Sequence, residues 1–190
     1  MTGPAAPVPY DTRVGAALSG LVRGAVETVR WPRGIDLEVT NYFTDRLPPL
    51  DLVMRARAIL VQQGRILVYD SPGGWSHIVP GGRIEPGETI ADTLRREIWE
   101  EVRCVMDGEA RLLGLSVFHD LGGPRADLPA YYPYPDFLQL IYAAGTSSEP
   151  AAGTDPAVSS PRFVEPADLM RMRVPPTQLE FVAYALRAVS

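Results

Sequence analysis

Lysine is missing altogether: the 190-residue chain carries 18 basic residues, and every one is arginine. That excludes Schiff-base chemistry on a lysine amine and the lysine of a phosphate-binding P-loop. One cysteine (Cys104) and two histidines (His77 and His119) are too few for a zinc finger, an HExxH site or a disulfide framework. Any metal must then be held mainly by oxygen, which points to a hard cation such as Mg2+ or Mn2+. No apolar run reads as a membrane span, since the first stretch is interrupted by Arg23 and Glu27, and Met1 to Pro7 lacks a charged signal region. A cytoplasmic protein is expected. The formal net charge of −5 gives no electrostatic reason to bind duplex nucleic acid or an anionic membrane.

What is present fits a globular domain with an extension. Hydrophobic residues make up 46% and charged residues 22%, near the averages for folded soluble proteins. After a Pro-rich start, apolar residues at Val14, Leu18, Leu21, Val22, Ala25 and Val29 have helical spacing, predicting an amphipathic helix from Thr12 to about Arg30. Trp31-Pro32-Arg33-Gly34 would stop it. Strands are expected at 35–42 and 52–61, with 56–61 and 65–69 forming a hairpin across Gln62-Gln63-Gly64. Further strands are expected at 76–79, 112–119, 137–143 and 162–164, and helices at 89–102, 166–172 and 176–188. The stretch 147–160 reads as a small-residue loop. Without a regular βαβ rhythm, a mixed sheet flanked by helices is expected.

The chemistry lies in Pro80 to Cys104. Thr89 suits an N-cap, with Asp92 three residues on as its capping-box partner. On the helix that follows, Ile90, Ala91, Leu94, Ile98 and Val102 share an apolar arc, while Glu97, Glu100 and Glu101 fall on an adjoining one. Three carboxylates on one turn repel, and a divalent cation is their natural compensation. The bland alternative is a solvated face laced by Arg96–Glu100 and Asp92–Arg96 pairs. Gly81-Gly82 and Pro86-Gly87 bracket a loop where backbone can approach a ligand closely. Together, Gly82, Glu88, Arg96, Glu97, Glu100 and Glu101 make the pattern G-x5-E-x7-R-E-U-x-E-E, with U the apolar Ile98. A chance match at one start is on the order of 10⁻⁷.

This segment resembles the signature box of the Nudix hydrolase family, which continues as x-G-U and here spans Gly82 to Cys104. The resemblance implies an α/β fold, a Nudix-like α/β/α sandwich with a mixed central sheet, over residues 51–190, preceded by the helical extension 1–50. It implies Mg2+- or Mn2+-dependent cleavage of a nucleoside diphosphate linked to another moiety, by water attack at phosphorus. Glu97, Glu100 and Glu101 would be metal ligands and catalytic groups, with the Gly81 carbonyl joining them. Arg96 would orient the glutamates, and Glu88 would support the loop. As many relatives are dimeric, the N-terminal helix is a candidate homodimer contact. One position departs from the box: Arg103 stands where it has glycine. A left-handed cap there costs a non-glycine residue about 1–2 kcal/mol, so the helix is expected to end in another way. The departure also motivates a rival reading, a nucleotide- or ADP-ribose-sensing module without turnover. A further alternative is an isomerase of this fold acting on a small diphosphate.

Substrate contacts can be nominated. Arg83, next to the glycines, suits a bidentate phosphate contact, and Gly81 and Gly82 suit close backbone approach. Tyr131, Tyr132, Tyr134 and Phe137 lie in or beside a loop where a nucleobase can stack. Asp120, Asp127 and Asp136 are candidates for an extra carboxylate at the metal. His119 and His77 are read first as hydrogen-bonded structural residues and second as phosphate contacts, and Cys104 as apolar filler.

Overall fold

The computed structural model describes residues 8–128 and 132–189. A nine-stranded mixed sheet forms the centre of the described residues. Its strands are β1 (Val22–Trp31), β2 (Ile35–Phe43), β3 (Val53–Gln62), β4 (Arg65–Ser71), β5 (Trp75–His77), β6 (Gly81–Arg83), β7 (Asp107–Asp120), β8 (Asp136–Gly145) and β9 (Ser159–Val164). The helices are α1 (Thr12–Leu18), α2 (Ile90–Val102), α3 (Pro176–Leu179) and α4 (Val182–Val189). The main strand order is β1-β2-β7-β8-β3-β4-β5, with β6 on β3 and β9 on β4. Only the β3–β8 pair is parallel among those described. The turn between β3 and β4 places Gln63 and Gly64 at φ 51° and 79°, the left-handed pair that a two-residue hairpin needs.

Both faces of the sheet are covered, as the sandwich reading required. On one side Leu94, Ile98 and Val102 of α2 pack on Ala56, Ala58 and Leu60 of β3. On the other, Ile59, Val61 and Ile141 meet Phe181 and Ala185, joined by Leu179, Val182, Leu186 and Val189. These last four fall on one side as expected, but the terminal helix is two pieces, α3 and α4. Ala91 is exposed, and the buried residue of that turn is Thr93.

The long N-terminal helix is a correction. Helix α1 stops at Leu18, and Gly20 turns the chain at φ 78° into β1, which pairs antiparallel with β2. From Val26 onward the segment alternates: Glu27, Val29 and Trp31 face inward, while Val26, Thr28 and Arg30 are exposed. That two-residue period, rich in β-branched residues, prevails over the looser helical match once β2 offers a ladder. Gly24 and Ala25 sit against the Glu180 carboxylate, which accepts the Ala25 N–H at 2.7 Å. Trp31 to Gly34 is therefore the β1–β2 turn rather than a helix stop. The apolar stripe of the short α1, Val14 and Leu18, is spent on this chain's own core.

The end of α2 is a second correction. Arg103 caps the helix in the left-handed conformation, φ 56° and ψ 22°, with its N–H on the Trp99 carbonyl. The box geometry is thus kept without glycine. Arg103 lies over the Trp99 ring at 5.1 Å, an exposed cation–π contact worth about 0.5–1 kcal/mol. The left-handed conformation costs more, about 1–2 kcal/mol. Arg103→Gly should therefore raise stability by about 0.5–1 kcal/mol in urea unfolding with an unchanged slope.

Behind that cap, loop 151–154 runs along the last turn of α2. Ala151, Gly153 and Thr154 donate their N–H groups to the carbonyls of Val102, Glu101 and Glu100 at 3.0, 3.2 and 2.7 Å. These are carbonyls that a helix end otherwise leaves unpaired.

Candidate active site

Two glycines set the site, each for a different reason. Gly81 pairs with Arg57 and Gly82 with Ala56, so β6 lies directly on β3. At Gly81, φ is 136°, and a Cβ would stand 2.4 Å from the Ala56 carbonyl oxygen. At Gly82 a Cβ would instead meet the Glu97 carboxylate at 2.4 Å. One glycine admits the strand; the other admits the glutamate.

The acidic side chains hang on Arg96. Its Nε and Nη2 donate to the two oxygens of Glu88 at 2.6 and 2.9 Å, a bidentate pair. Nη1 donates to Glu97 at 2.7 Å and reaches Glu100 at 3.4 Å, while Nη2 also bonds the Arg83 carbonyl at 3.2 Å. Arg96 and a Thr93 hydroxyl hold the Glu88 carboxyl down at about 2, so it stays ionised as a fixed anchor. The sequence pairing of Asp92 with Arg96 is absent; Asp92 completes the capping box with Thr89 and lies 4.0 Å from Arg95. A lysine cannot supply this planar fork. Arg96→Lys should release Glu97 and Glu100 and cut kcat by about 10–100-fold, with circular dichroism unchanged.

Glu101 is the buried member of the three, 7% exposed, and accepts the Gly81 N–H at 2.8 Å. Burial pushes its carboxyl up to about 7, and Glu97 and Asp155 push the same way, against the pull of Arg57 and the Gly81 N–H. Glu100 is the most open, with its side chain 48% exposed. Among the described residues, no three acidic, imidazole or thiol groups converge into a metal cluster as they stand, since Glu97 turns to Arg96 and Glu101 to Gly81. The donor set is nevertheless all oxygen, and Glu101 is a buried carboxylate with a raised proton affinity. Such a group suits a hard divalent ion.

Glu101 opens onto a cavity of about 310 Å3. Arg55, Arg57 and Gln139 lie along β3 and β8, with Glu27 and Trp31 supplied by β1 and Phe118 by β7. Arg57 donates to the Val79 carbonyl at 2.8 Å and to Gln139 at 3.2 Å. Trp31 lies 4.6 Å from the Arg55 guanidinium, although three strands separate β1 from β3 in the sheet, so the sheet curls over the cavity. None of these six residues was nominated from sequence. A signal existed: Arg55 and Arg57 alternate with alanines, which puts two arginines on one face of an otherwise apolar strand.

The other nominated residues fall elsewhere. Arg83 borders a second hollow with Asp51 and Pro86. Tyr132 donates to Asp120 at 3.0 Å and stands edge-on to Phe137, and Tyr134 reaches the Gly122 carbonyl at 3.4 Å; neither lines the main cavity. Tyr131 lies outside the described residues. Asp120, Asp127 and Asp136 are engaged by Tyr132, Arg125 and His119 respectively. His119 is buried between Asp136, 2.6 Å from Nδ1, and the Val8 carbonyl, 3.0 Å from Nε2, with Tyr10 stacked on its ring. His77 borders the cavity; Ser71 and Gln178 contact it, and burial lowers its pKa. Cys104 is buried, its thiol pushed up to about 11 by that burial.

Comparison with known proteins gives the family and the fold. A family model described as NUDIX domain matches residues 50–185. No curated protein matches the chain. In fold, the chain is similar to the pyrophosphohydrolase BsRppH of Bacillus subtilis, at 18% identity and TM-score 0.57, over 85% of this chain and 96% of that one. It is also similar to a NUDIX hydrolase from Nitrosomonas europaea, at 18% identity and TM-score 0.51, over 70% and 87%.

Proposed function

The chain belongs to the Nudix family, and on that premise we propose that it hydrolyses a nucleoside diphosphate linked to another moiety, using Mg2+ or Mn2+. The observation that carries this reading is the buried Glu101, held by the Gly81 N–H at the mouth of an arginine-bearing cavity and beside Glu97. Glu97, Glu100 and Glu101 would hold the ion, with the Gly81 carbonyl as a further oxygen. A bound divalent ion supplies positive charge to the phosphoryl oxygens and acidifies the attacking water.

The chain's own groups do the rest. Arg96 keeps Glu97 and Glu100 oriented from one guanidinium, so their positions are set before substrate arrives. Glu100, the most exposed and least tightly held, accepts the proton of the attacking water. Arg57 brings positive charge to the cavity mouth, where the phosphates would lie. Gly81 and Gly82 let the backbone come close to them.

A panel of nucleotides incubated with Mg2+ or Mn2+ should release a nucleoside monophosphate or phosphate, and EDTA should abolish release. Ligands that raise the melting temperature yet stay intact after long incubation with metal would instead establish a sensing module. Arg103, which motivated that rival, keeps the left-handed cap and leaves the carboxylates in place.

A further inference from the structure

Away from the cavity, three strands set a row of side chains under the N-terminal segment. The pairing of β2, β7 and β8 puts Glu38 beside His119 and His119 beside Asp136, so carboxylate, imidazole and carboxylate share one face. Residues 8–11 lie across that row, where the His119 side chain is 6% exposed and that of Asp136 0%. The Tyr10 ring stacks on His119 at 4.1 Å and its hydroxyl donates to Glu38 at 2.9 Å, while the Asp11 N–H donates to one oxygen of Asp136. The imidazole is held at both ends, Nδ1 2.6 Å from the other Asp136 oxygen and Nε2 3.0 Å from the Val8 carbonyl. A carbonyl oxygen can only accept, so Nε2 must carry a hydrogen; an ionised carboxylate can only accept, so Nδ1 must carry another. The contacts as a set therefore need one proton more than a neutral histidine beside an ionised aspartate provides. Without it, a lone pair of the ring faces either Asp136 or Val8, and a buried acceptor loses its donor.

We propose that this row is a proton-dependent latch for the N-terminal strap, residues 8–11: His119 donates from both ring nitrogens while the strap is docked, and loss of one proton releases it. The other charged and titratable groups around the ring are Glu38, which Arg23 of β1 approaches to 3.8 Å, Asp11, which caps α1 through the Arg13 N–H, and the phenols Tyr10 and Tyr42. Burial and Glu38 push the Tyr10 phenol up to about 12, so it stays a donor across the range in which histidine titrates. The docked row holds its extra proton, whereas a freed histidine gives it up above the ordinary value of about 6.5. Docking therefore weakens as pH rises beyond that value. Release also loosens α1, which follows the strap directly and is fixed further on by Val14 in the core and by Arg13 on Asp51. The latch does not depend on the hydrolase reading.

Chymotrypsin reports the strap, since cutting after Tyr10 requires residues 8–11 to leave the row. Cleavage at that bond is measured on the whole protein at pH 6 and pH 9, each rate divided by that of a free peptide of residues 5–15 at the same pH. Circular dichroism at both values confirms that the chain stays folded. Wild type should become about 10–100-fold more susceptible at pH 9, the effect of leaving a buried acceptor unpaired. Asp136→Asn should reverse the dependence. Its amide nitrogen can donate to Nδ1 of a neutral His119 while its oxygen still accepts the Asp11 N–H, so it latches at pH 9; at pH 6 the protonated ring meets the amide's own hydrogens and the strap loosens. His119→Gln, which has no titrating ring, should give equal normalised rates at both values. A wild-type rate that does not rise with pH, or a rise kept in either variant, overturns the latch. Should the variants fail to fold, the ring 15N resonances of His119 in wild type decide: they should change over the same pH interval as the cleavage rate, and a ring that titrates without altering cleavage overturns the proposal.

Discussion

Glu101→Gln is expected to inactivate the protein and, in the absence of metal, to make it more stable. The amide keeps the shape of the side chain and can still accept the Gly81 N–H, now made at 2.8 Å. What it removes is a charge that burial opposes. In the folded protein the carboxyl titrates near 7, against 4.5 for the ordinary group. Below pH 4.5 both states are protonated and the variant gains nothing. Between 4.5 and 7 the folded form keeps a proton that the unfolded form releases, so wild-type stability falls as pH rises, and the loss is complete above 7. At about 1.4 kcal/mol per tenfold difference in proton affinity, the loss is about 3 kcal/mol. Metal-free Glu101→Gln should therefore melt about 5–10 °C above wild type at pH 8 and level with it at pH 4.5. Activity should fall by at least about 100-fold, since even the partners of metal ligands are worth 10–100-fold. Added Mg2+ should close the stability gap at pH 8 by stabilising wild type alone. A variant equal to wild type in EDTA at pH 8 would mean that Glu101 carries no such strain.

The adjacent glycines should separate sharply under the same substitution. Gly81→Ala places a side chain in a backbone region nearly reserved for glycine, at a cost of about 1–3 kcal/mol. Its Cβ also meets backbone on both near contacts, the Ala56 oxygen at 2.4 Å and the Arg57 Cα at 2.7 Å, for about another 1–3 kcal/mol of crowding. A loss of roughly 2–6 kcal/mol is a large share of a typical domain's 5–15, and it moves the N–H that holds Glu101. Gly82→Ala meets only the end of the Glu97 side chain, which can swing aside. Stability should then change by less than about 1 kcal/mol while activity drops with the displaced carboxylate. Urea unfolding and a hydrolysis assay on the two variants together check the contrast.

How far the sequence carried differs between the helix and the cavity. Thr89, Asp92 and the Glu88–Arg96 pair act within eight residues of one another, and local spacing is enough to read such contacts. The hairpin at Gln63-Gly64 was legible for the same reason. The segment 19–31 was not. Its helical and strand patterns overlap, and only pairing with β2 decides between them. The cavity was hidden more deeply. Trp31 meets Arg55 through a curl accumulated over several strands, a long-range outcome that no window of neighbouring residues encodes. Arg103 shows the reverse case, where the residue type argued against a backbone geometry that its surroundings keep.

The loop at 151–154 looked like filler between two strands, yet it moors the rear of α2. A Cβ on Gly153 would fall 1.7 Å from the Glu100 carbonyl oxygen, so this small residue sets how closely the mooring can be drawn. The orientation of Glu100 and Glu101 is thereby tied to an alanine- and glycine-rich surface stretch remote in sequence. Selection can retune this end of the helix by lengthening or shortening that tether, without altering a single acidic residue.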